Sequence, residues 1–86
     1  MTDSRIYTTE FCGYCTRAKA LLNAKGVAYR EIDVTYDPDT RSEMMRLAGG
    51  VRTVPQIFIA AHHVGGWNEL IALEQKGGLD PLLAEA

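Results

Sequence analysis

Eighty-six residues, 47% of them hydrophobic and 23% charged, suit one small globular domain spanning 1–86, whose modest core must supply any active site from its edges. Nine Lys and Arg against eleven Asp and Glu leave a formal charge of -2, which gives no reason to expect nucleic acid as a partner. The polar start Met1-Thr2-Asp3-Ser4-Arg5 and apolar runs of only a few residues argue against a signal peptide or a membrane span, so a cytoplasmic location is the default expectation.

From Ile6 to Thr9 the residues are β-branched or aromatic and predict a short strand. The chain turns at Phe11-Cys12-Gly13, and from Tyr14 onward Cys15, Ala18 and Leu22 share one helical face with Leu21 beside them. Gly26 is placed to close that helix in a left-handed cap. Val27 to Val34, "VAYREIDV", reads as a second strand, parallel to the first because a helix separates them. Asp37 can cap a helix that starts at Pro38, carries Met44, Met45, Leu47 and Ala48 as its apolar residues and stops at Gly49-Gly50. The two Met at helical spacing read as core filler.

Gln56 to Gly66, "QIFIAAHHVGG", predicts a hairpin with a short loop near Ala60 to His62. Asn68 can cap a helix carrying Leu70, Ile71 and Leu73 and closed by Gly77-Gly78, and Asp80-Pro81 can start a last short helix holding Leu82 and Leu83. The resulting order is β-α-β-α-β-β-α plus a terminal helical turn, an α/β class with no internal repeat or linker.

Cys12 and Cys15 stand where the first strand gives way to the first helix. As a structural staple the pair is weak, because a bridge across so short a loop hardly constrains the unfolded chain. A structural zinc needs four ligands, and the only other candidates are the adjacent His62 and His63, which would face opposite ways in a strand. These histidines read as polar residues at a hairpin turn. A redox pair accounts best for the placement. Cys12 lies just outside the first helical turn, where free backbone N–H groups and the helix dipole favour a thiolate, which makes it the nucleophile. Cys15 lies about one turn further in, faces the core and is the resolving thiol.

Through "IYTTEFCGYCTRAKALL", "TVPQIFI", "HHVGG" and "GGLDPLL" the chain resembles a bacterial dithiol glutaredoxin of the thioredoxin fold, over nearly its whole length. The resemblance implies a mixed four-stranded sheet and glutathione as reductant. It also implies that Pro55, in Thr53-Val54-Pro55, is a cis proline facing the cysteines, which leaves the Val54 backbone free to pair with the cysteinyl part of glutathione. Gly65-Gly66-Trp67-Asn68 would bring a helix N-terminus to the γ-glutamyl carboxylate, and Tyr14 would pack beside the tripeptide. The glutathione-binding set implied is therefore Tyr14, Thr53, Val54, Pro55, Gly66, Trp67 and Asn68.

The sequence departs from the family pattern at several of these points. Asn68 and Glu69 stand where two Asp are common; Asn68 can accept a hydrogen bond from the ligand's ammonium group without the charge that would strengthen it, and Glu69 is placed to compensate. Trp67 replaces a small residue and either covers the ligand or rests on the surface. Thr9 replaces a Lys near the nucleophile, and Arg41 or Gln56 could hold the glycine carboxylate instead, although a solvated helix face is the ordinary fate of Arg41.

Gly13 stands where Pro is usual in dithiol members. Some members with Gly there hold a two-iron two-sulfur cluster between two subunits, ligated by the first cysteine and glutathione. The function implied is a glutathione-dependent thiol-disulfide oxidoreductase that reduces protein-glutathione mixed disulfides and protein disulfides. The alternative is a cluster carrier using Cys12 and glutathione in a dimer. The partners implied are glutathione and glutathionylated or disulfide-containing proteins, with the chain a monomer or a cluster-bridged dimer.

Overall fold

The computed structural model describes residues 3–84, arranged as β1 (Ser4–Thr8), α1 (Gly13–Ala24), β2 (Arg30–Asp33), α2 (Pro38–Leu47), β3 (Gln56–Ile59), β4 (His62–Gly65), α3 (Trp67–Gln75) and α4 (Leu79–Ala84). The four strands form one mixed sheet in the order β2-β1-β3-β4. β1 pairs parallel with β2 and antiparallel with β3, which continues antiparallel into β4. The expected element order and mixed sheet are therefore observed. No helix among the described residues is long and apolar enough to cross a membrane.

Alternation along the strands divides the core between the two faces of the sheet. Ile6, Ile57 and Ile59 meet Ala18, Leu70 and Leu79 on one face, and Tyr7 and Phe58 meet Val34, Met44 and Ala48 on the other. Both faces of the central strands are covered, so β1 is buried along most of its length and β3 along all of it, whereas the edge strands β2 and β4 are largely exposed.

Local residue choices set most of the boundaries. At the end of α1, Gly26 takes a φ of +70° and the Val27 N–H bonds the Leu22 carbonyl at 3.0 Å, closing the helix as its glycine predicts. That bond also shortens the second strand. Val27 is tied back to the helix, and only Arg30 to Asp33 come into register with β1, so the expected strand from Val27 to Val34 contracts to four residues. Asp37 caps α2 by accepting from the Thr40 N–H at 3.1 Å and the Thr40 hydroxyl at 2.7 Å.

The hairpin loop is Ala60-Ala61, with Ala60 at a φ of 53°. In the β3–β4 ladder Ile57 pairs with Gly65 and Phe58 with His63, so Val64 is an extra residue in β4. The start of α3 corrects an expectation. Its cap is Gly66 rather than Asn68, because the Glu69 carboxylate reaches back to accept from the Gly66 N–H at 2.8 Å and draws Trp67 into the first turn. The α4 helix begins at Leu79, one residue before Asp80-Pro81. Lys25 joins the ends of three helices by pairing with both Glu74 and Asp80, and those hydrogen bonds, Glu74 first, hold its ammonium group above the usual lysine range.

Candidate redox site

The site begins at the turn between β1 and α1. Phe11 is fully exposed and adopts a φ of 58°, an uncommon conformation for a bulky aromatic residue, which turns the chain out of the sheet plane. Cys12 follows in an extended conformation (φ -106°, ψ 105°) as the N-cap of α1. Its sulfur accepts from the Cys15 N–H at 3.1 Å, taking the place that a Ser or Asp oxygen usually fills. Cys12 is half-buried, whereas Cys15 is only 2% exposed and faces the core on the same helical side as Ala18. The two are joined as a disulfide with Cα atoms 5.2 Å apart.

The second wall comes from the loop before β3. The Val54-Pro55 peptide is cis, and the Val54 carbonyl oxygen lies 3.9 Å from Cys12 Sγ. The third wall is the start of α3. Together these walls enclose a groove of 330 Å³ lined by Tyr14, Thr53, Val54, Pro55, Gly66, Trp67 and Asn68, so the structure brings all seven sequence-derived positions to one place. Glu69 completes the lining. Its distance of three residues from Gly66 is the capping-box spacing, a signal that was present in the sequence. Because its carboxylate holds the Gly66 N–H, one donor of that helix start is already satisfied within the protein.

Individual side chains take definite places. Tyr14 stands at the groove rim with the Arg17 guanidinium 5.5 Å above its ring. Trp67 does not simply rest on the surface: it packs against the core cluster beneath α3 and lines the groove. Arg41 donates to the Arg52 carbonyl at 3.1 Å and so clips α2 to the segment leading into Thr53. Gln56 is not available as a carboxylate binder. It is 1% exposed, donates from Nε2 to the Thr53 carbonyl at 2.9 Å and meets His63 Nε2 through Oε1 at 2.6 Å. His63 thus does more than sit at a hairpin turn, and no motif in the sequence signals this, because the contact depends on the register of β4 against β3.

On its other side Cys12 opens on a second hollow of 370 Å³, whose walls include Thr9, Glu10, Lys19, Glu31 and Asp33. Glu31 is held by Lys19 at 3.0 Å and by the Thr8 hydroxyl at 2.8 Å. Thr35 binds Asp33 through its hydroxyl and its N–H, which keeps that carboxyl below its usual range. Among the described residues no three His, Cys, Asp or Glu side chains are grouped to hold a metal ion. A dithiol beside a groove with a free backbone edge is equipped for disulfide exchange with a thiol-bearing ligand in extended conformation.

A family model described as glutaredoxin matches residues 5–64. Glutaredoxin 3 of Escherichia coli strain K12 is 52% identical over 83 residues, covering 96% of this chain and 99% of the relative. The solution structure of glutaredoxin from Brucella melitensis superposes with a TM-score of 0.85 at 52% identity, over 96% of this chain and 89% of that one. The crystal structure of a buckwheat glutaredoxin-glutathione complex gives a TM-score of 0.85 at 30% identity, over 95% of this chain and 76% of that one.

Proposed function

The chain belongs to the glutaredoxin family, and from that premise we propose that its Cys12–Cys15 pair reduces protein-glutathione mixed disulfides and protein disulfides with glutathione as the reductant. Members of this family are thiol-disulfide oxidoreductases, and the dithiol is the feature of this chain that fits that activity. The observation that carries the reading is the position of Cys12, capped by the Cys15 N–H and 3.9 Å from the Val54 carbonyl at the edge of the groove.

In the proposed cycle the Cys12 thiolate attacks the glutathione sulfur of a protein-glutathione disulfide. A new bond forms between Cys12 and glutathione, the protein sulfur leaves as a thiolate and takes up a proton. A second glutathione, as its thiolate, attacks the glutathione bound to Cys12, releasing oxidised glutathione and restoring the Cys12 thiolate. With a protein disulfide, Cys12 first forms a mixed disulfide and frees one substrate thiol. The Cys15 thiolate then attacks Cys12 Sγ, releases the second thiol and leaves the Cys12–Cys15 disulfide. Two glutathiones reduce this disulfide in turn, the first bonding to Cys12 and freeing Cys15, the second removing the first as oxidised glutathione.

Glutathione is assigned to the groove of Tyr14, Thr53, Val54, Pro55, Gly66, Trp67 and Asn68. The buckwheat relative, solved with glutathione, supports that choice of ligand. The Val54 backbone would pair with the cysteinyl unit as an added strand, and the start of α3 would receive the γ-glutamyl carboxylate. A cytoplasmic location fits this chemistry, which draws on a reducing glutathione pool. The cluster-carrier alternative is not favoured: the Cys12–Cys15 pair fits a dithiol redox couple, and the family relatives support the exchange activity.

The test is glutathione-dependent reduction of a glutathionylated peptide by the native chain, Cys12→Ser and Cys15→Ser. Activity that survives only in the native protein and Cys15→Ser supports the cycle. A native protein without activity would overturn it.

A further inference from the structure

Resting on the glutathione reading above, we propose that His63 is a positioning residue for glutathione, acting through Gln56 on the Thr53–Val54 peptide. His63 lies in β4 and does not line the groove that holds Val54, Gly66 and Asn68. What links it to that groove is a side-chain relay. Gln56 Nε2 donates to the Thr53 carbonyl at 2.9 Å and lies 3.4 Å from the Thr53 hydroxyl, and Gln56 Oε1 is 2.6 Å from His63 Nε2.

Two elementary constraints give this relay its direction. A carbonyl can only accept, so the contact with Thr53 fixes the Gln56 amide with its nitrogen toward the loop and its oxygen toward His63. His63 must therefore carry its proton on Nε2 and donate. Next, the Thr53 C=O and the Val54 N–H belong to one planar peptide group and point in opposite directions. Holding the Thr53 oxygen from the Gln56 side therefore aims the Val54 N–H away from Gln56. That N–H is the donor the glutathione reading assigns to the cysteinyl backbone.

Gln56 is almost fully buried, so its amide has no water to turn toward, and a lost partner at Oε1 would free it to rotate. The His63 ring is itself braced. It stacks on Phe58 with centroids 4.9 Å apart and planes 27° from parallel, opposite the residue with which it pairs in the ladder. This stack separates the donor function of His63 from its packing function, and the two can be removed one at a time.

The experiment compares His63→Phe, which keeps a ring on Phe58 and loses the Nε2 donor, with His63→Gln, which keeps a donor and loses the ring. Thermal melts check that both variants fold. In glutathione-dependent reduction of a glutathionylated peptide, whose glutathionyl group is the one that enters the groove, His63→Phe should raise the KM for the peptide about three- to tenfold with kcat unchanged, the loss of one buried hydrogen bond. His63→Gln should stay within about twofold of native. The reverse pattern, or no change in either variant, would overturn the relay and leave His63 a packing residue.

A readout that needs no activity accompanies the kinetics. In NMR spectra of the oxidised protein, the Gln56 side-chain amide and the Val54 backbone amide should shift in His63→Phe and stay near their native positions in His63→Gln. Unmoved signals in His63→Phe would sink the proposal even if glutathione reduction proceeds. Moved signals in a chain that lacks glutathione-dependent activity would mean that the relay exists and that the glutathione reading is the part that fails.

Discussion

The Cys15 N–H points at Cys12 Sγ across 3.1 Å, so a sulfur atom caps the first turn of α1. In the reduced protein the same N–H would stabilise a thiolate at Cys12, together with the other unpaired donors of the helix start. Cys15, 2% exposed among apolar neighbours, has neither the access nor the polar surroundings for this. Brief alkylation of the reduced chain with iodoacetamide at neutral pH should therefore modify Cys12 first, at least about tenfold faster than Cys15. Peptide mapping by mass spectrometry reads the result, and equal labelling of the two would remove the basis for naming Cys12 the nucleophile.

Gly65 bears a second prediction. Its φ of +113° suits only glycine, and a Cβ there would stand 2.9 Å from both Cγ and Oε1 of Glu69. Gly65→Ala should therefore strain the backbone and displace the carboxylate that holds the Gly66 N–H, costing about 1–3 kcal/mol. At this chain length that corresponds to a fall in Tm of roughly 5 °C or more. Adding Glu69→Ala should relieve the collision with Cγ and Oε1 while the 3.0 Å contact with Cβ and the backbone strain remain, so the double variant should lose less stability than the two single changes added together. Simple additivity would show that the collision is absorbed elsewhere.

The helix boundaries that residue chemistry dictates locally were legible in the sequence. Asp37-Pro38 and Gly26 each carry a physical requirement, an oxygen for a free N–H or a positive φ, that names the boundary by itself. The start of α3 was misplaced because Asn68 is a better capping type than Gly66, and what decides is the reach of Glu69 back to the Gly66 N–H. Val27 and Tyr29 have strand-forming character, yet Val27 is tied to the end of α1, a closure that residue type does not announce. The groove residues were legible because they fall in three short motifs. The role of Gln56 was not, since its partner His63 is brought to it by strand register and a bulge at Val64.

Asp37 gives a pH-dependent prediction. The Thr40 hydroxyl and then the Thr40 N–H hold its carboxyl below the usual aspartate range, so the folded state binds this proton less readily than the unfolded chain. The stabilisation is thus present above the unfolded aspartate pKa of about 3.9 and is lost as pH falls through the depressed folded value. Native protein should have a higher Tm than Asp37→Ala at neutral pH, and the gap should narrow as the melts are taken to acid pH. A gap that stays constant through that range would assign the cap to geometry without charge.

At Gly13 the backbone is ready for proline. This is the first residue of α1, where the fixed φ of proline suits the helix and its missing N–H removes a donor that no helical carbonyl receives. The preceding residue, Cys12, is already in the extended region that a following proline demands. A Cβ built on Gly13 meets nothing within 4 Å, so the first ring carbon of a proline has room there. Gly13→Pro should therefore stabilise the fold by about 0.4–1 kcal/mol, chiefly by restricting the unfolded chain, and raise Tm by roughly 2–8 °C. The Cys15 N–H that caps Cys12 is untouched by the change, so the rate of Cys12 alkylation should stay within about threefold of native. A lower Tm would mean that Gly13 occupies a conformation proline cannot take. A large fall in alkylation rate with Tm raised would show instead that the Gly13 N–H is one of the donors that hold the thiolate.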